Sequence, residues 1–158
     1  PGLFEEFRRT RELWGVHVIP WRNLREIYTV LRQREMLALL IDWGYRADGI
    51  PVKLFDAWTT LPAGPATLAA KTGSRILPIT LHRNPDGQTF SITWADPIEV
   101  SSSDPAALQA ATQQMADAFA ASIAPAPEQW YSFKPIWPTD PAESERLARR
   151  AAAMAANE

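Results

Sequence analysis

Apolar positions recur along this chain with two periods, and the switches between them mark its elements. Leu3, Phe4, Phe7 and Leu13 sit among Glu and Arg at helical spacing, so Leu3–Leu13 is predicted as an amphipathic helix closed by Gly15. Val16-His17-Val18-Ile19 is a short β-branched run halted by Pro20. Asn23 then offers an N-cap acceptor to a helix carrying Leu24, Ile27, Tyr28 and Leu31 on one face. Residues 36–41 are unbroken apolar sequence ending at Asp42. A run so short and so apolar predicts a strand buried on both faces.

A polar loop from Gly44 to Gly49 leads to a second apolar strand, residues 50–55, and then to a loop from Asp56 to Gly64. Pro65 opens a small-residue helix over residues 66–71, with Gly73 just past its end. Residues 75–81 read as another strand, and Asn84-Pro85-Asp86-Gly87 as a turn. In the following strand, residues 89–94, alternation puts Phe90, Ile92 and Trp94 on one face, which predicts a half-exposed strand near a sheet edge. Asp104-Pro105 starts a helix with Leu108, Met115, Phe119 and Ile123 on one side. Burying each of these stabilises by roughly 1.5–3 kcal/mol, which directs the helix onto the sheet. After the Pro125-Ala126-Pro127 break and an aromatic stretch through Trp137-Pro138, Asp140-Pro141 begins a last Ala/Arg-rich helix. Its weak apolar face predicts a poorly docked or frayed tail. Alternating helices and strands predict an α/β fold, a mixed and mostly parallel sheet flanked by helices.

Length and composition narrow the class. The chain has 158 residues, enough for one domain with a sizeable core, at 46% apolar and 22% charged. A net charge of −2 argues against a nucleic-acid partner, which needs a basic excess. Arg8, Arg9, Arg11, Arg22, Arg25, Arg32 and Arg34 gather near the start, with Glu5, Glu6, Glu12, Glu26 and Glu35 between them. That pattern reads as a solvated, ion-paired helix face or as a surface drawn to anionic lipid head groups. There is no cysteine, which excludes disulfides and thiolate metal sites, and no apolar run approaches the roughly 20 residues that span a bilayer. The chain opens on Pro1 rather than methionine, which reads as a fragment or a processed product. Seven tryptophans is a high count, suited to cores, grooves and membrane interfaces.

Candidate chemistry is sparse. His17 lies within a β-like run and His82 just before a turn, where structural or surface roles suffice. Gly-x-Ser-x-Gly, Walker A and Gly-x-Gly-x-x-Gly strings are absent, as is any metal-ligand spacing. What remains is polar residues at strand ends, where α/β proteins gather ligands. Arg22 and Arg25 follow the first apolar run and suit phosphate in bidentate fashion. Asp42 and Asp56 follow the second and third; Asp42 suits orienting a base or holding the loop after it, and both also suit turn or cap roles.

Five ordered blocks point further. They are Gly15-Val16-His17-Val18-Ile19-Pro20 with Asn23-Leu24-Arg25; Leu40-Ile41-Asp42 with its loop to Gly49; Val52-Lys53-Leu54-Phe55 with residues 61–69; Thr72 to Pro78; and Pro127 to Trp137. In order and spacing, residues 13–137 resemble the C-terminal half of the bacterial lysophospholipid-acyltransferase-like family, which includes lipid A late acyltransferases and phosphatidylinositol mannoside acyltransferases. The resemblance implies an acyltransferase-like fold whose N-terminal part is missing, with residues 1–138 the C-terminal part of the catalytic domain and 139–158 a helical tail. It implies transfer of a fatty acyl chain from acyl-CoA or acyl carrier protein to a hydroxyl of a membrane glycolipid. No other cofactor is implied. The place of work is peripheral, at the cytoplasmic face of the inner membrane.

Family catalysis uses His-x-x-x-x-Asp/Glu, the histidine as base and the acid fixing its tautomer. Here the fifth residue after His17 is Arg22 and after His82 is Gly87, so the motif lies in the missing half or the chain is inactive. The resemblance places Arg22 or Arg25 near the phosphate of donor or acceptor, and Asp42 on the family's acidic residue at a strand end. Asp56-Ala57-Trp58 stands where the family often carries a glutamate. Gly64 and Pro65 let a helix N-terminus approach the ligand. The alternative is a non-catalytic lipid- or acyl-carrier-binding module.

Overall fold

The computed structural model describes residues 2–42 and 44–156, the Phe4 side chain excepted. They fall into two compact units, Pro1–Leu37 and Ala38–Glu158.

The smaller unit carries two helices. In α1, Leu3–Leu13, Glu5 and Glu6 occupy the first turn and Arg11 the last, each charge set against the opposite end of the helix dipole. Gly15, at φ 76, takes the left-handed turn that ends it. Helix α2, Leu24–Arg32, starts as the sequence predicts: Asn23 Oδ1 accepts the Glu26 amide at 3.3 Å and Asn23 Nδ2 donates to the Glu26 carboxylate at 2.5 Å. Residues 16–19 belong to no ladder among those described.

The larger unit is built on two antiparallel hairpins. Strands β1, Ile50–Leu54, and β2, Ala57–Leu61, pair with Leu54 opposite Ala57. Two residues alone, Phe55 and Asp56, make the turn, both in the left-handed region at φ 51 and 63. Helix α3, Gly64–Thr72, ends on left-handed Gly73. The second hairpin joins β3, Ile79–Arg83, to β4, Phe90–Trp94, with an Ile76–Ile98 bridge beyond its open end. Its turn is closed by Asp86, whose Oδ1 accepts the amides of Gln88 and Thr89, both at 2.9 Å. Helix α4, Pro105–Ile123, begins at Asp104-Pro105 and helix α5, Pro141–Ala155, at Asp140-Pro141. The core gathers Val52 and Leu61 from the first hairpin, Ala66 from α3, Ala111, Met115 and Ala116 from α4, with Ile41 and Ile98 completing it.

Three features differ from the sequence-based expectation. Both ladders are antiparallel, and no parallel pairing occurs among the described residues. Residues 36–41 join no ladder there either; Met36 is 98% exposed and Leu40 82%, while Ile41 alone reaches the core. An apolar run becomes a strand only beside a partner backbone, so composition by itself could not decide the matter. The stretch after Asp56, expected as a loop, holds β2; its two-residue turn lacks the glycine that usually announces a hairpin.

The last helix also departs from expectation, for α5 is docked. Leu147 is fully buried and Ala151 nearly so, one turn apart on a narrow stripe. Polar bonds do the rest: Tyr45 Oη donates to Glu143 at 2.6 Å, and Arg150 donates to the carbonyls of Ala47 at 2.8 Å and Gly49 at 2.9 Å. Among the described residues no helix is long and apolar enough to cross a membrane.

Candidate functional site

The β1–β2 turn and the facing side of α4 enclose an open groove of about 650 Å³. Its apolar part comes from Phe55, Trp58, Ala120 and Ala124, its polar part from Lys53, Asp56, Gln113 and Asp117. Alternation along β1 turns Val52 and Leu54 into the core and leaves Lys53 outward. The Lys53 ammonium then lies over the Trp58 ring, 5.6 Å from its centroid.

Gln113 fastens the groove's two walls. Its Oε1 accepts the Lys53 amide at 2.8 Å, and its Nε2 donates to the Lys53 carbonyl and the Asp117 carboxylate at 2.9 and 2.8 Å. A side-chain amide thus stands where a neighbouring strand would otherwise pair, and the edge of β1 is closed by a helix. Behind the turn, Phe55 packs on Trp130 at 6.4 Å between ring centroids, and Trp130 meets Trp137 edge-on at 6.3 Å. Trp137 Nε1 donates to the Leu54 carbonyl at 3.2 Å, whereas the buried Trp130 Nε1 has no hydrogen-bond partner. The groove offers an aromatic floor and a charged rim. No histidine lines it, and its ionisable side chains are Lys53, Asp56 and Asp117.

The residues singled out from the sequence take separate positions. Asp56 is in the groove, as the second residue of the tight turn. Asp42 is exposed just after Ile41, and neither it nor Gly64 nor Pro65 lines the groove. Gly64 begins α3 with open space where a side chain would project; Pro65 after it is buried. Arg22 and Arg25 belong to the smaller unit and form no ion pair among the described residues. Both are exposed, and the Arg22 guanidinium rests 4.9 Å from the centroid of the Trp21 ring. The nearby arginines divide, with Arg8 paired to Glu5 and, at 2.8 Å, to Glu12.

Neither histidine meets the requirements of a triad. His17 Nε2 lies 2.7 Å from Glu26 Oε1 on the exposed surface of the smaller unit. His82 Nε2 is 3.3 Å from Ser122 Oγ, and among the described residues no carboxylate pairs with its ring. Lys53, Trp58, Gln113 and Asp117 were not apparent from the sequence. Two strand ends separated by two residues, Leu54-Phe55-Asp56-Ala57, would have signalled the hairpin that carries Lys53 and Trp58, whereas Gln113 and Asp117 on α4 have no local signal.

Comparison with known proteins gives this geometry its setting. The chain is 33% identical over 94% of its length to the phosphatidylinositol mannoside acyltransferase of Mycolicibacterium smegmatis. It is 31% and 32% identical, again over 94%, to proteins of the same description from two strains of Mycobacterium tuberculosis. It covers 47–48% of these proteins, so the chain spans about half the length of the curated relatives it matches. Residues 3–139 match the family described as bacterial lipid A biosynthesis acyltransferase, and the chain belongs to that family.

Proposed function

We propose that this chain is the C-terminal portion of a glycolipid acyltransferase of the phosphatidylinositol mannoside type. The observation that carries the reading is the identity of 31–33%, sustained over 94% of the chain, to three proteins of that description. In the proposed reaction a hydroxyl of a membrane glycolipid attacks the thioester carbon of acyl-CoA or acyl carrier protein. A base takes the hydroxyl proton, the carbonyl oxygen carries the negative charge of the tetrahedral intermediate, and the thiolate leaves as the ester forms. The base belongs to chain beyond the 158 residues, because neither His17 nor His82 has an acid at the fifth following position.

Within this reading the chain's own residues bind and orient. Arg22 and Arg25, free of ion pairs among the described residues, meet phosphate of the acceptor or donor. Asp42 and Asp56 support the base electrostatically, and Gly64 and Pro65 bring the start of α3 towards the ligand. Residues 1–138 form the acyltransferase part and 139–158 append α5. The whole protein has a mixed, mostly parallel sheet flanked by helices. Work at the cytoplasmic face of the inner membrane follows from the acceptor, with the arginine-rich smaller unit towards anionic head groups.

The test is acyl transfer measured as acylated glycolipid and freed thiol, with the 158-residue chain and with the longer polypeptide its gene encodes. Product from the longer protein alone is expected; thiol release by the chain alone would contradict the assignment of the base. One observation favours a second reading, a lipid- or acyl-carrier-binding module. The groove sets the rings of Phe55 and Trp58 beside charged side chains, with no histidine in its lining. Ligand binding without turnover by the longer protein would establish that reading instead.

A further inference from the structure

The β3–β4 hairpin turns an apolar face to the outside. Its register sets Ile79 opposite Trp94, Leu81 opposite Ile92 and Arg83 opposite Phe90, so these six side chains share one face. The five apolar ones are all exposed, from 51% for Phe90 to 71% for Trp94. The polar residues occupy the other face. His82 Nε2 and Thr93 Oγ1 lie 3.3 and 3.5 Å from Ser122 Oγ of α4. An antiparallel hairpin with one face on its core normally turns the apolar side inward. A contiguous apolar face of this kind on the outside marks an interaction surface.

The surroundings indicate the occupant. Arg83, the one charge on the face, lies over the Phe90 ring at 5.0 Å and donates to the Gly87 carbonyl at 3.0 Å. Beyond Arg83, which is held to its own hairpin, the charges flanking the strands are Asp86 in the turn and Asp96 after β4, neither of which attracts an anionic bilayer. Meanwhile the curated relatives carry about as much chain again as this one spans. In α/β domains an apolar sheet face is covered by helices of the same chain. We propose that the outward face of the β3–β4 hairpin is an internal interface of the longer protein, covered by an amphipathic helix from the half of the family's length that this chain does not span. The proposal rests on the reading above only in requiring that the parent polypeptide be longer.

The absence of cysteine permits a direct test. Ile92→Cys is made in the 158-residue chain and in the longer polypeptide encoded by its gene, with Ala152→Cys on exposed α5 as the control, and maleimide labelling rates are measured. Ile92→Cys is expected to label as fast as the control in the chain and at least tenfold more slowly in the longer protein. Equal rates in both would overturn the proposal, as would a gene that encodes no further chain. Protection that appears in the short chain with rising concentration would assign the face to a second copy. Protection that appears only with phosphatidylglycerol vesicles would assign it to the bilayer. Either result overturns the proposal. Acyl transfer is assayed on the same samples: activity without protection defeats the interface and leaves the enzymatic reading, and protection without activity does the reverse.

Discussion

Asp56 holds a left-handed backbone, φ 63, directly after Phe55 at φ 51. A two-residue hairpin turn of this hand favours Asn-Gly or Asp-Gly, and a bulky residue there is strained. Asp56→Gly relieves that strain, and the β1–β2 hairpin is expected to gain about 0.5–1 kcal/mol, read as a higher urea midpoint. If Asp56 also supports the base, the same change lowers acyl transfer by the longer protein, so a midpoint that rises while activity holds would remove Asp56 from the site. Gly49 makes the opposite case. A Cβ there would lie 2.7 Å from Thr60 Cβ and 2.8 Å from the Leu61 carbonyl, neither of them the free end of a flexible side chain. Gly49→Ala is therefore expected to cost about 1–3 kcal/mol by overpacking. A denaturation midpoint unchanged from the parent chain would show that the hairpin yields at this point.

At the scale of elements, α5 depends on a buried leucine and a few polar bonds. Leu147→Ala leaves a cavity in a site with no exposed surface and is expected to cost about 2–5 kcal/mol in thermal or urea unfolding. The polar bonds add a pH signature. Burial, and then the bond to Glu143, push the Tyr45 phenol up from 10.0 to about 12, so its contribution is complete below pH 10.0 and lost as pH rises through about 12. The Tyr45 hydroxyl, followed by Arg146, holds the Glu143 carboxyl below its usual 4.5; that contribution is present above 4.5 and lost as pH falls through the lower native value. The stability difference between the chain and Tyr45→Phe should be widest near neutrality and shrink towards both extremes. A difference independent of pH would remove the Tyr45–Glu143 bond from the account. These partners also explain why the tail read as frayed. Tyr45 and Glu143 are 98 residues apart, Arg150 and Ala47 103, and no local pattern in α5 announces either contact. Local signals did well where the cause is local: Asn23, Gly73 and Asp140-Pro141 bound helices as their chemistry predicts. They failed at β2, whose turn breaks the usual glycine rule, and at Gln113, whose value depends on Lys53 60 residues away. Of the candidate site, Asp56 was legible as a strand-end acid, whereas the groove around it exists only once α4 lies across β1.

For the whole molecule, the division into two units determines which changes should be coupled. Every member of the main core cluster lies between Ile41 and Ala116, and none comes from Pro1–Leu37. A chain beginning at Ala38 therefore keeps β1, β2, α3, α4 and the α5 contacts intact, and is expected to unfold cooperatively with a urea midpoint close to that of all 158 residues. The same logic separates binding from folding in the smaller unit. Arg22 and Arg25 are exposed and unpaired with acids among the described residues, so Arg22→Ala with Arg25→Ala should leave the unfolding midpoint of the chain within about 0.5 kcal/mol. If their work is to meet phosphate, the double variant loses acyl transfer in the longer protein and loses affinity of the chain for phosphatidylinositol vesicles. That loss should be mimicked by raising salt, since the attraction is between exposed charges. Broad, uncooperative unfolding of the Ala38 chain would show that the N-terminal residues hold the core together. In that event a loss of activity in the arginine variants would have to be re-examined as a loss of structure.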